Sequence, residues 1–365
     1  MGLEGIIKPH ILGLEPYQPG KPVEELEREL GLEGCIKLAS NESPIGPSPK
    51  AMAAVREALE GVHRYPDGAS FALRERLASR LEVDPAQLVF GAGADEILEF
   101  LAKVLLGPGD EAVFAWPSFA MYPVVVQGMG GTSIRVPLTG DLTHELAGMS
   151  AAVTDRTRLI FVCNPNNPTG TSVGSEALDR FVESLPETAV LAIDEAYYEF
   201  VRRADFPNSL EWVRRRPGTI ALRTFSKIFG LAGLRIGYGV ADLELASYLQ
   251  RARHPFNVSR LAEVAALAAL DDVEHAERAR STNFEGIDYL RAELGALGME
   301  TWPTDANFLL AKVEAGTAER LLREGVIVRA LGGFGMPGHI RISIGLPEEN
   351  ERLVKTLQKL REDGL

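Results

Sequence analysis

Lys227 ends an apolar run, Thr219-Ile220-Ala221-Leu222-Arg223-Thr224-Phe225-Ser226-Lys227, and a glycine-rich stretch from Ile228 to Gly237 follows it. A lysine at a strand end, among hydroxyls and glycines, suits an amine that attacks a carbonyl and forms a Schiff base. Only the neutral amine attacks, so this lysine needs a desolvated or cation-flanked place. The bland alternative is a solvated surface lysine, and the neighbours decide between the two.

Three further apolar runs end in polar residues. Leu88-Val89-Phe90 leads into Gly91-Ala92-Gly93-Ala94-Asp95, a tight turn capped by Asp95 or a phosphate cradle of helix-start amides. Glu96 stands where the dinucleotide fingerprint requires glycine, which disfavours a Rossmann site. Leu159 to Cys163 leads into Asn164-Pro165-Asn166-Asn167-Pro168-Thr169-Gly170. Two Asn-Pro pairs make a stiff turn, and a stiff turn aims asparagine amides at an anionic oxygen. Ala189 to Ile193 leads into Asp194-Glu195-Ala196-Tyr197. Asp194 either caps the next helix or holds a cation, with Tyr197 three residues on. Arg235 and Arg341 suit bidentate binding of phosphate or carboxylate, or else structural ion pairs.

Positioning these residues requires a sheet. The runs are continuously apolar, as in strands buried on both faces. Helix-period stretches separate them, so a parallel or mixed α/β sheet is expected, with ligands at the carboxyl ends of the strands. The last third reads as a smaller α+β unit. A helix-rich stretch spans about 259–297, strand-like pieces follow at 306–313 and 325–329, and a final strand begins at His339. In that strand Ile340, Ile342 and Ile344 face one way, Arg341 and Ser343 the other. The expected division is an arm and connector over 1–40, a large domain over 41–258 and a small domain over 259–365.

With 365 residues, 45% of them hydrophobic, the chain can bury a sizeable core. A net charge of -13 with no basic block argues against nucleic-acid and anionic-membrane surfaces. Cys35 and Cys163 make no metal-ligand spacing and no disulfide framework, and the six histidines form no ligand motif, so no metal site is expected. No apolar run has the length of a membrane span, and the first residues lack a basic leader, so a cytoplasmic protein is expected.

Together these motifs resemble the fold-type I, pyridoxal-phosphate-dependent aminotransferases, and within them the histidinol-phosphate branch. The resemblance also rests on Glu15-Pro16-Tyr17, Ser40-Asn41-Glu42, Arg64-Tyr65-Pro66-Asp67, Pro255-Phe256-Asn257-Val258 and Arg341-Ile342-Ser343-Ile344-Gly345. It implies a mostly parallel, seven-stranded-type sheet flanked by helices, plus the small domain. It implies that Lys227 carries the cofactor and shuttles a proton. Asp194 would pair with the cofactor's ring nitrogen, and Asn167 and Tyr197 with its phenolic oxygen. The amides of Ala94 and Asp95, with Thr224, Ser226 and Arg235, would hold its phosphate, and Tyr65 would reach that phosphate from a second subunit. Phe119 would stack on the ring where the family commonly has tyrosine. Arg341 and Arg329, with Asn41 nearby and Tyr17 from the partner subunit, would bind the substrate. The implied reaction is amino transfer between histidinol phosphate and 2-oxoglutarate, in a homodimer with shared sites. Aromatic aminotransferases and threonine-phosphate decarboxylases share these motifs and are the alternatives.

Overall fold

The computed structural model describes residues 3–15 and 20–362. Its strands are β1 (Ile36–Leu38), β2 (Leu88–Gly91), β3 (Glu111–Trp116), β4 (Thr132–Pro137), β5 (Thr157–Cys163) and β6 (Val190–Asp194). There follow β7 (Thr219–Thr224), β8 (Gly237–Ala241), β9 (Phe308–Lys312), β10 (Val326–Ala330) and β11 (His339–Ser343). Seven of them form one sheet in the order β2-β8-β7-β6-β5-β3-β4. All run parallel except β8, which is antiparallel to both neighbours.

Alternation along β5 explains its unbroken apolar sequence. Leu159, Phe161 and Cys163 join one core with Phe114, Ala192 and Leu222. Ile160 and Val162 join another with Val113, Leu191 and Ile193. Helices cover both faces, so every position from Leu159 to Cys163 is inside. Each fully buried large apolar side chain stabilises the fold by roughly 1.5–3 kcal/mol. The polar residue that ends each strand therefore emerges from a rigid, dry platform.

The other four strands form a second sheet, ordered β1-β10-β11-β9. Its core contains Ile340, Ile342 and Ile344 packed with Ile287, Leu290, Leu353 and Leu357. The helix Arg260–Leu270 does not belong to it. That helix packs on the helix Pro49–Ala58 and shares a core with Leu73, Phe90 and Phe225 of the larger unit. The next helix, Val273–Ala296, touches both cores, through Ala279 in one and Ile287 to Leu294 in the other. Strand β1, inside the stretch read as an arm, pairs with β10 and forms an edge of the second sheet.

Candidate active site

A cavity of about 430 Å³ opens at the carboxyl ends of β2, β5, β6 and β7, where the second sheet meets the first. That is a usual size and place for a small-molecule site. Ala94, Asp95, Phe119, Asn167, Asp194, Tyr197, Thr224, Ser226, Lys227 and Arg235 line it, together with Asn41, Arg329 and Arg341. Of the expected residues that the structure describes, one does not. Tyr65 is exposed and stacks on Phe256 at 4.7 Å, away from this chain's own cavity. Tyr17 lies outside the described residues.

One end of the cavity is an anion cradle. Strand β2 ends at Gly91, and the helix Ala94–Leu105 begins after Gly93, held at φ 84. First-turn amides have no acceptor within their own helix and point outward with the positive end of its dipole. Gly237 brings β8 flush against this turn: a Cβ there would collide with Ala94 N and Gly93 C. The guanidinium of Arg235 lies over Gly93 and pairs with Asp95 at 3.3 Å. Arg235 itself sits at φ 57, a strained conformation for a non-glycine residue. The Thr224 hydroxyl accepts the Ser226 N–H at 3.0 Å, which draws both hydroxyl residues into the turn that ends at Lys227.

At depth, Asp194 is 4% exposed. Burial pushes its pKa up to about 6, opposed by hydrogen bonds from the Tyr122 hydroxyl (2.8 Å) and the Ala196 N–H (3.2 Å). Lys227 donates to Ser40 O at 3.4 Å. Burial first, and then the positive charge of Arg341, lower its pKa to about 8. This is the desolvated, cation-flanked amine that carbonyl attack requires.

The second sheet supplies a pair of cations. Arg329 and Arg341 are directly opposite across β10 and β11. Like charges in that relation are destabilising unless an anion joins them. Arg341 donates to Asn167 Oδ1 and to Ala39 O, both at 2.6 Å, and lies over the Phe308 ring. Ser343, on the same strand face, accepts the Asn41 N–H at 2.8 Å and donates to Asn41 Oδ1 at 2.9 Å. Asn41 Nδ2 in turn donates to the Tyr197 hydroxyl at 2.9 Å. The Tyr197 proton is thereby left free to point elsewhere.

Sequence reasoning missed Tyr122, because nothing in its own helix signals a contact with a residue 72 positions away. It also missed the buried ion pair between Glu195 and Arg223 (2.9 Å), which braces the ends of β6 and β7. Among the described residues, no cluster of three metal-ligating side chains occurs.

This arrangement is that of a group-transfer enzyme, and the chain belongs to the class I and II aminotransferases, whose family model matches residues 33–357. It is 49% identical to the histidinol-phosphate aminotransferase of Moorella thermoacetica, over 96% of this chain and 92% of that one. It is 46% identical to histidinol-phosphate aminotransferase 1 of Nitrosococcus oceani, over 97% and 96%. The histidinol-phosphate aminotransferase of Sinorhizobium meliloti, solved with pyridoxal-5'-phosphate, superposes with a TM-score of 0.87 at 29% identity, covering 97% and 98%. Aspartate aminotransferase from Thermus thermophilus with maleate superposes at 0.82 and 25% identity, over 96% and 99%.

Proposed function

We propose that the chain transfers the amino group of L-histidinol phosphate to 2-oxoglutarate, yielding imidazole acetol phosphate and glutamate, with pyridoxal 5'-phosphate as cofactor. The observation that carries this reading is the single cavity that gathers a depressed-pKa lysine, a buried carboxylate, an anion cradle and two arginines in register.

The residues fit the cofactor by their chemistry. The cradle that a Cβ at Gly237 would fill has backbone amides, two hydroxyls and Arg235 to take a phosphate. Asp194 is placed to hold a protonated ring nitrogen, and Asn167 and Tyr197 a phenolic oxygen. Phe119 offers an apolar face without the hydroxyl that tyrosine would add. When bound, pyridoxal phosphate supplies an electron sink for the pair released at the substrate's α-carbon.

The protein's own groups do the rest. Lys227 Nζ, neutral in an appreciable fraction near pH 8, takes the α-proton and returns it at the other end of the transfer. Arg341 and Arg329 hold the substrate's anionic group, a phosphate in one half-reaction and a carboxylate in the other. Asn41 orients Tyr197. Tyr17 and Tyr65 act from the partner subunit of a homodimer, for which the outward placement of Tyr65 is the support. We place the start of the smaller domain after Leu270 rather than at residue 259, since the helix Arg260–Leu270 shares the larger core. No helix among the described residues is long and apolar enough to cross a membrane, and we assign the enzyme to the cytoplasm.

The test is a single half-reaction. Purified holoenzyme is mixed with histidinol phosphate, phenylalanine or threonine phosphate, without keto acid, and the cofactor absorbance is followed. Conversion to the amine form at low histidinol phosphate is expected. Preference for phenylalanine, or release of carbon dioxide from threonine phosphate, would overturn the assignment.

A further inference from the structure

Tyr122 is fully buried, near the start of the helix Met121–Gly128. Its ring stacks on Phe161 at 4.5 Å and 5°, and meets Phe119 edge-on at 5.7 Å and 88°. Held on both sides, the ring has little freedom, and its hydroxyl donates to Asp194 Oδ2 at 2.8 Å. The other carboxylate oxygen accepts a longer bond, 3.2 Å, from the Ala196 N–H. Helix and β6 are distant in sequence, so this contact exists only in the folded chain.

The surroundings of Asp194 otherwise oppose its charge. Cys163 faces it from β5, Asp95 from the start of the helix Ala94–Leu105, and Glu195 and Tyr197 from its own segment. Burial holds the thiol and both phenols in their neutral forms. Glu195 is spoken for by Arg223. Lys227 and Arg341 line the same cavity, where the Arg341 charge helps lower the Lys227 pKa and Arg341 itself donates to Asn167 and Ala39. A buried carboxylate among such neighbours tends to take up a proton, and a hydrogen bond donated to the anion is what counters it.

We propose that Tyr122 is a positioning residue for the amino-transfer site: its hydroxyl keeps Asp194 ionised and turned toward the cofactor's ring nitrogen. This rests on the reading of Asp194 given above. Because Phe119 lies three residues before Tyr122, one short segment sets both the apolar face of the cofactor slot and the charge at its floor.

The experiment compares wild type with Tyr122→Phe as apoproteins, measuring the dissociation constant for pyridoxal 5'-phosphate from pH 5 to 9. Titrations of Lys227 and of the free cofactor are common to both and cancel. In the variant, affinity is expected to start falling about one pH unit higher. Binding would then be about twofold weaker at pH 7, approach tenfold weaker at pH 5 and converge with wild type at pH 9. A loss that is uniform across pH, or superimposable curves, would overturn the role of Tyr122. In an Asp194→Asn background the same substitution should leave the pH profile unmoved, and a shift there would also overturn it. Should Tyr122→Phe fail to fold, 3-fluorotyrosine placed at 122 gives a stronger donor of the same shape, and the profile should shift toward acid. Wild type that binds no pyridoxal phosphate at any pH would instead overturn the reading of the site itself.

Discussion

Asp194→Asn is expected to stabilise the apoprotein while ruining cofactor retention, and the size of the effect follows from the burial of this carboxylate. Its pKa stands at about 6 against an ordinary 3.8. Two units, at 1.36 kcal/mol each, amount to about 3 kcal/mol of destabilisation once the group is charged in both folded and unfolded chains. The pKa is raised on folding, so the folded chain binds the extra proton between these values. Stability is unaffected below pH 4, falls as pH rises through 6, and is level above. About half of the effect, near 1.4 kcal/mol, develops between pH 5 and pH 8.

The amide removes the charge but offers one acceptor oxygen to two donors, the Tyr122 hydroxyl and the Ala196 N–H. Leaving one of them short costs about 1 kcal/mol at every pH. The net expectation is a variant more stable than wild-type apoprotein by about 2 kcal/mol at pH 8, with the advantage shrinking toward pH 5. Urea unfolding of both apoproteins at fixed concentration from pH 5 to 8 measures this. Parallel stability curves would refute the reasoning, because a constant difference cannot come from titration of Asp194. Adding cofactor should invert the order, since a ligand at a thousand times its dissociation constant adds about 4 kcal/mol to the protein that binds it.

Lys227→Ala should lower turnover by about 10²–10⁴-fold or more, and borohydride should no longer fix the cofactor to the chain, read by peptide mass mapping. Arg341→Ala should raise KM for the phosphorylated substrate far more than it changes folding. The same change should move the Lys227 titration to higher pH, since the Arg341 charge is the second cause holding it down; an unmoved titration would count against their coupling. Glu195→Gln leaves Arg223, buried and stacked over Tyr198 at 3.6 Å, without its carboxylate partner. A loss of about 3–5 kcal/mol in urea unfolding is expected, and a loss under 1 kcal/mol would show that the pair is dispensable.

What the chain discloses one segment at a time, it discloses well. Lys227, Asp194 and Asn167 were legible because each lies at or just past the carboxyl end of a largely apolar, buried strand, where a turn begins. Arg341 was legible because β11 alternates, and the isoleucines of that strand do form the smaller core. Other elements gave weaker signals. Strand β4 is an edge with only Val136 buried, so its pattern is mixed. Strand β8 reads Gly-Tyr-Gly-Val-Ala and looks like more of the glycine-rich turn, yet its two glycines are what let it lie against the cradle and beside Ile220. Strand β1 is three residues long and pairs only with β10, almost 300 positions later. The polar connections are the least legible of all. Asn41 binds Tyr197 and Ser343, and Tyr122 binds Asp194, across separations of 72 to 302 residues. No local periodicity encodes such pairs. Yet they set which proton each group at the floor of the cavity holds, so the chemistry rests on contacts that only the closed fold creates.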